Sequence, residues 1–120
     1  MTPVAPSWRV GIPLPTINPL NRREHHHARA RRVVKERGLT TLCLRSQMGT
    51  PPALPVTITL VRVSPREMDS DGAVAALKSV RDAVASWLGV DDRDTADLVW
   101  RYEQRKGKVG VEIQVEARSC

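Results

Sequence analysis

The chain has 120 residues, of which 41% are hydrophobic, and a formal net charge of +6. This length predicts one domain covering residues 1–120, with a modest core and with flexible ends at 1–6 and 117–120. No stretch approaches the roughly 18 apolar residues that span a membrane, which excludes an integral membrane protein. Because Cys43 and Cys120 have no paired-ligand spacing and no secretion signal precedes them, we expect a cytoplasmic protein without a disulfide.

A short strand is predicted at residues 7–14, and a basic helix at about 22–37, where Gly38 stops it. Residues 1–40 carry eight Arg or Lys against two Glu, whereas 41–120 carry eleven against eleven acidic residues, so the excess charge lies at the amino-terminal side. A cationic helix suits a phosphate backbone, and a solvated surface helix is the less favoured alternative. The candidate DNA-binding residues are Asn21, Arg22, Arg23, His26, Arg29, Arg32 and Lys35.

The three consecutive histidines of this segment, His25, His26 and His27, do not suggest a metal site. Neighbouring residues on a helix point about 100° apart, so their rings are not expected to converge on one ion. We expect them to be polar or DNA-facing surface positions.

Four further elements follow in the chain. Residues 39–55, rich in Pro and Gly, are predicted to be a loop, and the β-branched segment 56–63 a strand. Residues 97–104 and 109–116 are predicted to be strands joined as a terminal antiparallel hairpin. Together with two helices this order predicts an α/β (α+β) fold, a small mixed sheet of about four strands in the order β-α-β-α-β-β.

The second helix, predicted at 73–88, stands between two acidic pairs, Asp69 with Asp71 and Asp91 with Asp92. Apolar residues recur at helical spacing along it, and Gly89 follows where a left-handed C-cap usually falls. Four carboxylates at the two helix ends suggest a divalent metal site, since a hard cation takes oxygen ligands. Asp71, Lys78 and Asp82 share one stripe of this helix.

Each acidic residue also has a structural interpretation. Asp69 and Asp71 stand at N-cap positions, where capping is more common than metal binding. Asp91 and Asp92 follow a helix end, where negative charge opposes the macrodipole, so a structural role suits them less. A solvated acidic turn remains open for that pair, and Lys78 can pair with Asp82 across one helical turn.

The sequence resembles the RusA family of Holliday junction resolvases over most of residues 8–115. The motifs that carry the resemblance are Leu14-Pro-Thr-Ile-Asn-Pro-Leu-Asn21, the Asp69-Ser-Asp71 pair, Leu77-Lys78 with Asp82, and Gly89-Val-Asp-Asp92. The resemblance implies a dimeric endonuclease of phage or prophage origin that requires Mg²⁺, or Mn²⁺ in its place. It would nick four-way DNA junctions in pairs in the bacterial cytoplasm, with branched DNA as partner and no small-molecule cofactor.

Residue roles follow from the same resemblance. Asp69, Asp71 and Asp92 would be the essential metal-binding carboxylates, Asp91 an auxiliary ligand, and Lys78 the basic catalytic residue near the scissile phosphate. Gly72 replaces the Asn of the family motif, and about three extra residues precede Lys78. Two alternatives therefore stay open, a catalytically inactive DNA-binding protein with the same fold and a structural protein whose basic helix meets an acidic partner.

Overall fold

A computed structural model describes residues 6–17, 25–91 and 96–118. Within them the predicted order of elements is confirmed, with the second helix divided in two. The elements are β1 (Ser7–Ile12), α1 (His26–Gln47), β2 (Val56–Val63), α2 (Ser70–Ala76), α3 (Lys78–Leu88), β3 (Leu98–Arg105) and β4 (Gly110–Ala117). None of these helices is long and apolar enough to cross a membrane.

One four-stranded mixed sheet contains all four strands in the order β1-β4-β2-β3. The predicted hairpin between the last two strands is wrong, because β3 pairs in parallel with β2, whereas β4 lies between β1 and β2 and is antiparallel to both. A β-α-β crossover through α2 and α3 places β3 at the sheet edge, and the connection 106–109 then carries the chain past the end of β2.

The core lies between the helices and one face of this sheet. Alternate residues of each strand point to that face, among them Val10, Ile58, Leu60 and Ile113, all fully buried. On the opposite face, Thr57, Thr59 and Val61 of the central strand are also buried, although they do not belong to this core cluster. The two-layer arrangement leaves the charged residues of the flanking strands to line that second face.

The helix α1 runs ten residues farther than the sequence predicts, so the predicted stop at Gly38 and the part of the predicted loop from 39 to 47 are wrong, whereas 48–55 form a connection as predicted. A glycine inside a helix costs about 0.5–1 kcal/mol, but the following turns bury Thr40 and Leu44, and this packing outweighs the cost. The left-handed glycine after the helix is Gly49, with φ of 80°, whose N–H donates to the carbonyl of Leu44 at 3.0 Å.

The second predicted helix begins earlier than expected and bends at Leu77. Its two parts remain hydrogen-bonded through the bend, since the N–H of Leu77 donates to Ala73 and that of Arg81 donates to Leu77. Leu77, Val80 and Val84 are buried as the apolar series predicts, whereas Val74 is 40% exposed. The predicted C-cap is confirmed, because Gly89 is left-handed with φ of 76°.

Candidate metal and nucleic-acid site

Asp69 and Asp71 both lie at the start of α2, where Asp69 is the N-cap residue and Asp71 stands in the first turn. The Asp69 side chain accepts no capping hydrogen bond. Both residues are exposed, and neither carboxylate pairs with another residue in the part of the chain that the structure describes. Two adjacent carboxylates without protein partners leave their oxygen atoms available to a ligand.

A glutamine of the sheet holds the backbone directly before these carboxylates. The side-chain Nε2 of Gln104 donates to the carbonyl of Met68 at 2.7 Å, and its Oε1 accepts from the Met68 N–H at 3.0 Å. The two bonds satisfy both backbone polar groups of Met68. The backbone that leads into Asp69 is therefore held against β3.

A buried arginine extends this attachment. Arg62 is 7% exposed and donates to Gln104 Oε1 at 3.2 Å, to the carbonyl of Arg66 at 2.8 Å and to Thr16 Oγ1 at 2.8 Å. Burial lowers the pKa of its guanidinium from the ordinary value. Arg62 and Gln104 are positioning residues that sequence reasoning missed; their signal was a lone arginine in an otherwise apolar and Thr-containing strand.

The second acidic pair lies at the other end of the helix. At about 1.5 Å per residue, α2 and α3 extend about 28 Å from Ser70 to Leu88, and Asp91 follows this far end as an exposed residue. Asp92 lies outside the described residues. Because the helix continues through the bend at Leu77, one chain does not bring Asp69 and Asp71 together with Asp91.

A groove of about 320 Å³ separates α1 from α2 and α3. Its lining residues are Arg29, Arg32, Val33, Arg37, Ala75, Lys78, Ser79 and Asp82. Asp71 precedes Ala75 by four residues and so shares its face of the helix, which places the Asp71 carboxylate in line with a cationic groove.

Polar contacts connect the two walls of this groove. Arg37 donates to Asp82 Oδ2 at 2.7 Å, and the buried carboxylate of Glu36 accepts from Ser79 Oγ at 2.6 Å and pairs with Arg32 at 3.1 Å. These contacts fix α1 against α3. They also neutralise part of the positive charge of the predicted DNA-binding helix.

Lys78, the predicted basic catalytic residue, stands at the rim of the groove. It is 74% exposed and lies 3.5 Å from Asp82 Oδ2, which is the pairing that the sequence offered as an alternative. An exposed ion pair of this type is weak, worth about 0.2–1 kcal/mol. The ammonium group can therefore leave Asp82 for a phosphate oxygen at small energetic cost.

The remaining predicted DNA-binding residues divide into two groups. His26 and Lys35 are exposed on α1, whereas Asn21, Arg22 and Arg23 lie outside the described residues. The expectation that the three histidine rings point apart is wrong, because their centroids lie 4.0–5.1 Å from one another. The cause is the N-cap conformation of His25, whose Nδ1 accepts from the N–H of His27 at 3.3 Å.

No family model matches the chain, and no curated protein matches it. Among residues 6–17, 25–91 and 96–118, no group of three or more His, Cys, Asp or Glu side chains is placed to hold a metal ion. The site therefore rests on its own geometry, a pair of exposed carboxylates at the start of α2 and a cationic groove in line with Asp71.

Proposed function

We propose that this protein is a Mg²⁺-dependent, structure-selective endodeoxyribonuclease that resolves four-way DNA junctions by paired nicks. The observation that carries the proposal is the exposed pair Asp69 and Asp71 at the start of α2, with Asp71 in line with a groove that contains Arg29, Arg32 and Lys78. Phosphodiester hydrolysis needs both parts, because the backbone must be held by positive charge and the reacting phosphate must meet a metal-binding group.

The carboxylate pair fits the ligand chemistry of Mg²⁺. This ion is usually held by one or two protein carboxylates, with water and substrate phosphate in its other positions. When bound, Mg²⁺ supplies Lewis-acid activation of the phosphoryl group and of water. The exposed oxygens of Asp69 and Asp71 would hold the ion, and the clamp of Gln104 on Met68 would fix their position.

Lys78 and the groove arginines would serve the substrate. In this proposal the Lys78 ammonium group exchanges its contact with Asp82 for a phosphate oxygen beside the carboxylates, and there stabilises the negative charge that develops during cleavage. Arg29 and the exposed Lys35 and His26 would contact the strand on its way into the groove. The substrate would be branched DNA in the cytoplasm of a bacterial host.

A two-fold dimer completes the proposal. One chain holds Asp69 and Asp91 at opposite ends of a helix of about 28 Å, so a site that used both acidic pairs would take one pair from each protomer. An isologous dimer, the commonest oligomer, would also present two equivalent sites to a junction with two-fold symmetry. In such a dimer the partner chain would supply Asp92 as an essential ligand and Asp91 as an auxiliary one.

A second candidate function is DNA binding without cleavage, and Gly72 is the residue that favours it. Gly72 is buried in the first turn of α2, directly after Asp71, and it has no side-chain donor to orient a carboxylate or the substrate. The fold and the cationic groove would persist in such a protein, and turnover would be absent.

Cleavage of a labelled synthetic four-way junction tests the proposal, with a linear duplex of the same sequence as control. We expect symmetric nicks in the junction alone, abolished by chelator and reduced at least about 100-fold by Asp71→Asn, as losses of this size accompany removal of a catalytic electrostatic group. Glu116→Gln is the matched variant, since it removes an exposed carboxylate from β4, and it should cleave normally.

The other outcomes decide between the candidates. Tight junction binding without nicks would support the inactive DNA-binding protein. The nucleic-acid function would be refuted by a protein that neither binds nor cleaves the junction, and equal loss of activity in Glu116→Gln and Asp71→Asn would remove the assignment of the site.

A further inference from the structure

A second cationic surface lies on the connection between β3 and β4. Arg105, Lys106 and Lys108 fall within four residues there. Arg105 pairs with Glu112 at 3.2 Å, whereas Lys106 and Lys108 are exposed and pair with no residue that the structure describes. The sequence predicts this segment only as the connection of a hairpin, and the proposed nuclease site makes no use of it.

The connection is held in place by its backbone. The N–H of Ser64 donates to the carbonyl of Arg105 at 3.1 Å, and the N–H of Gly107 donates to the carbonyl of Ser64 at 3.3 Å. Gly107 also lies so close to Val63 that a Cβ atom would come within 3.0 Å of a Val63 methyl group. The two lysines are therefore presented from a fixed loop.

The loop stands near the carboxylates of the proposed site. Ser64, to which the loop is hydrogen-bonded, precedes Asp69 by five residues, which an extended chain spans in about 17 Å. This distance is less than one turn of duplex DNA, about 34 Å. The loop is thus within reach of a duplex whose scissile phosphate lay at Asp69.

A groove of about 580 Å³ opens beside the loop, between it and the end of β1. Pro13, Val63 and Val109 give it an apolar floor, and Lys106 and Lys108 stand among its lining residues. The one carboxylate that lines it, Glu112, is engaged by Arg105 and by Gln114. Uncompensated cations over an apolar floor suit the alternating phosphates and sugars of a nucleic-acid backbone.

We infer that Lys106 and Lys108 form a second phosphate-binding surface, which holds the backbone of the duplex arm that leaves the cleavage site. This inference rests on the proposed function and extends it, since it assigns a contact outside the groove between α1 and α3. The surface would orient the branched substrate without reading its sequence, because phosphate contacts carry position and no base information.

The salt dependence of junction binding tests this inference without any cleavage. Fluorescence anisotropy with a labelled junction, in chelator and between about 50 and 200 mM salt, gives the slope of log Kd against log salt. Two lost phosphate contacts should reduce this slope by about 1.8 in a Lys106→Gln/Lys108→Gln variant. The matched control is Arg45→Gln/Arg101→Gln, which removes the same charge from exposed positions on α1 and β3 and should keep the wild-type slope.

Two results would contradict the inference in different ways. If the wild-type protein binds the junction and the loop variant has the same slope as the control variant, the lysines make no phosphate contacts, and the nuclease proposal is unaffected. If the wild-type protein shows no salt-dependent binding to the junction, the inference and the proposed function both fail.

Discussion

The two long helical regions pack in different ways. The helix α3 buries Val80 and Val84 in the apolar core and begins at the fully buried Leu77. The helix α1, although it has 22 residues, buries only Glu36, Thr40 and Leu44, two of which are polar. The helix α3 is thus held by a broad apolar face, whereas α1 combines a narrower apolar contact through Leu39 and Leu44 with buried hydrogen bonds and ion pairs.

This difference shows which helix is available for binding. A helix that packs on the core through one narrow face can expose cationic residues over most of its surface, and α1 does so. It also leaves two large apolar side chains exposed, Val34 at 71% and Leu42 at 63%. In α3 the core fixes the sequence, whereas in α1 only the contacts to α3 and to β1 constrain it.

The largest expected effect compares the same substitution in the two regions. Leu77→Ala should lower the free energy of unfolding by about 2–5 kcal/mol, because it removes a buried side chain and leaves a cavity. Leu42→Ala, on the exposed side of α1, should change it by less than about 0.5 kcal/mol. Urea unfolding measures both values. Equal losses would mean that α1 is covered in solution and that the comparison is wrong.

The next effect tests whether polar contacts hold α1. Glu36→Gln should lower the free energy of unfolding by about 1–3 kcal/mol, since the buried carboxylate pairs with Arg32 and accepts from Ser79. Glu67→Gln, at an exposed position, is the control and should be nearly neutral. Combining Glu36→Gln with Ser79→Ala should give less than the sum of the single losses, and strict additivity in urea unfolding would exclude the coupling.

Two glutamine clamps allow a finer comparison. The side chain of Gln104 bonds to both backbone polar groups of Met68 before α2. At the end of α1, Gln47 Oε1 accepts from the Gly11 N–H at 3.0 Å, and Gln47 Nε2 donates to the Gly11 carbonyl at 2.8 Å. The first clamp is partly buried and the second exposed, so Gln104→Leu should cost about 1–3 kcal/mol and Gln47→Leu about 0.5–1.5 kcal/mol. Hydrogen exchange of the Met68 amide should accelerate only in Gln104→Leu. Unchanged exchange there would show that the clamp does not fix the carboxylates.

The smallest effect concerns the sheet face that carries the charged residues. The hydrogen bond from Gln114 and then the contact with Arg105 lower the pKa of Glu112, and partial burial opposes them. A lowered pKa means that the folded protein favours the ionised carboxylate, so this stabilisation is present at neutral pH and lost as the pH falls below the ordinary range of Glu. Near neutral pH, the free energy of unfolding of the wild type should exceed that of Glu112→Gln by about 0.2–1 kcal/mol.

Urea unfolding of both proteins at neutral and acid pH checks this expectation. The difference between them should disappear in acid, where both side chains are uncharged. A difference that persisted at low pH would assign the effect to packing and not to charge.

Much of the local structure followed from the residues themselves. The alternation of Val111, Ile113 and Val115 predicted β4, and the spacing of Leu77, Val80 and Val84 predicted a buried helix face. The stop at Gly89 was also readable, because a left-handed C-cap depends on the backbone of that one residue. Gly38 predicted a helix end by the same reasoning, and this prediction is wrong, because packing farther along α1 outweighs the intrinsic preference of one glycine.

The candidate site was predictable only in part. Asp69 and Asp71 stand at the same helix end because they are two residues apart, a fact of sequence, and neighbouring turns of helix place Ala75 and Lys78 on the side of Asp71. The separation of Asp91 from them, by contrast, depends on the helix remaining continuous through Leu77. The contacts of Gln104 with Met68 join residues 36 positions apart, and no local pattern predicts a bond across such a distance.

The sequence by itself determined the four strands, the amphipathic helix and the concentration of positive charge before residue 40, because periodicity, capping and composition act over a few residues. Only the tertiary structure decided the strand order, the length of α1 and the place of the loop carrying Lys106 and Lys108. These features depend on which surfaces bury one another. The chain forms the crossover from β2 to β3 and not the hairpin, and this crossover covers the sheet with α2 and α3. That choice placed the two lysines near Asp69.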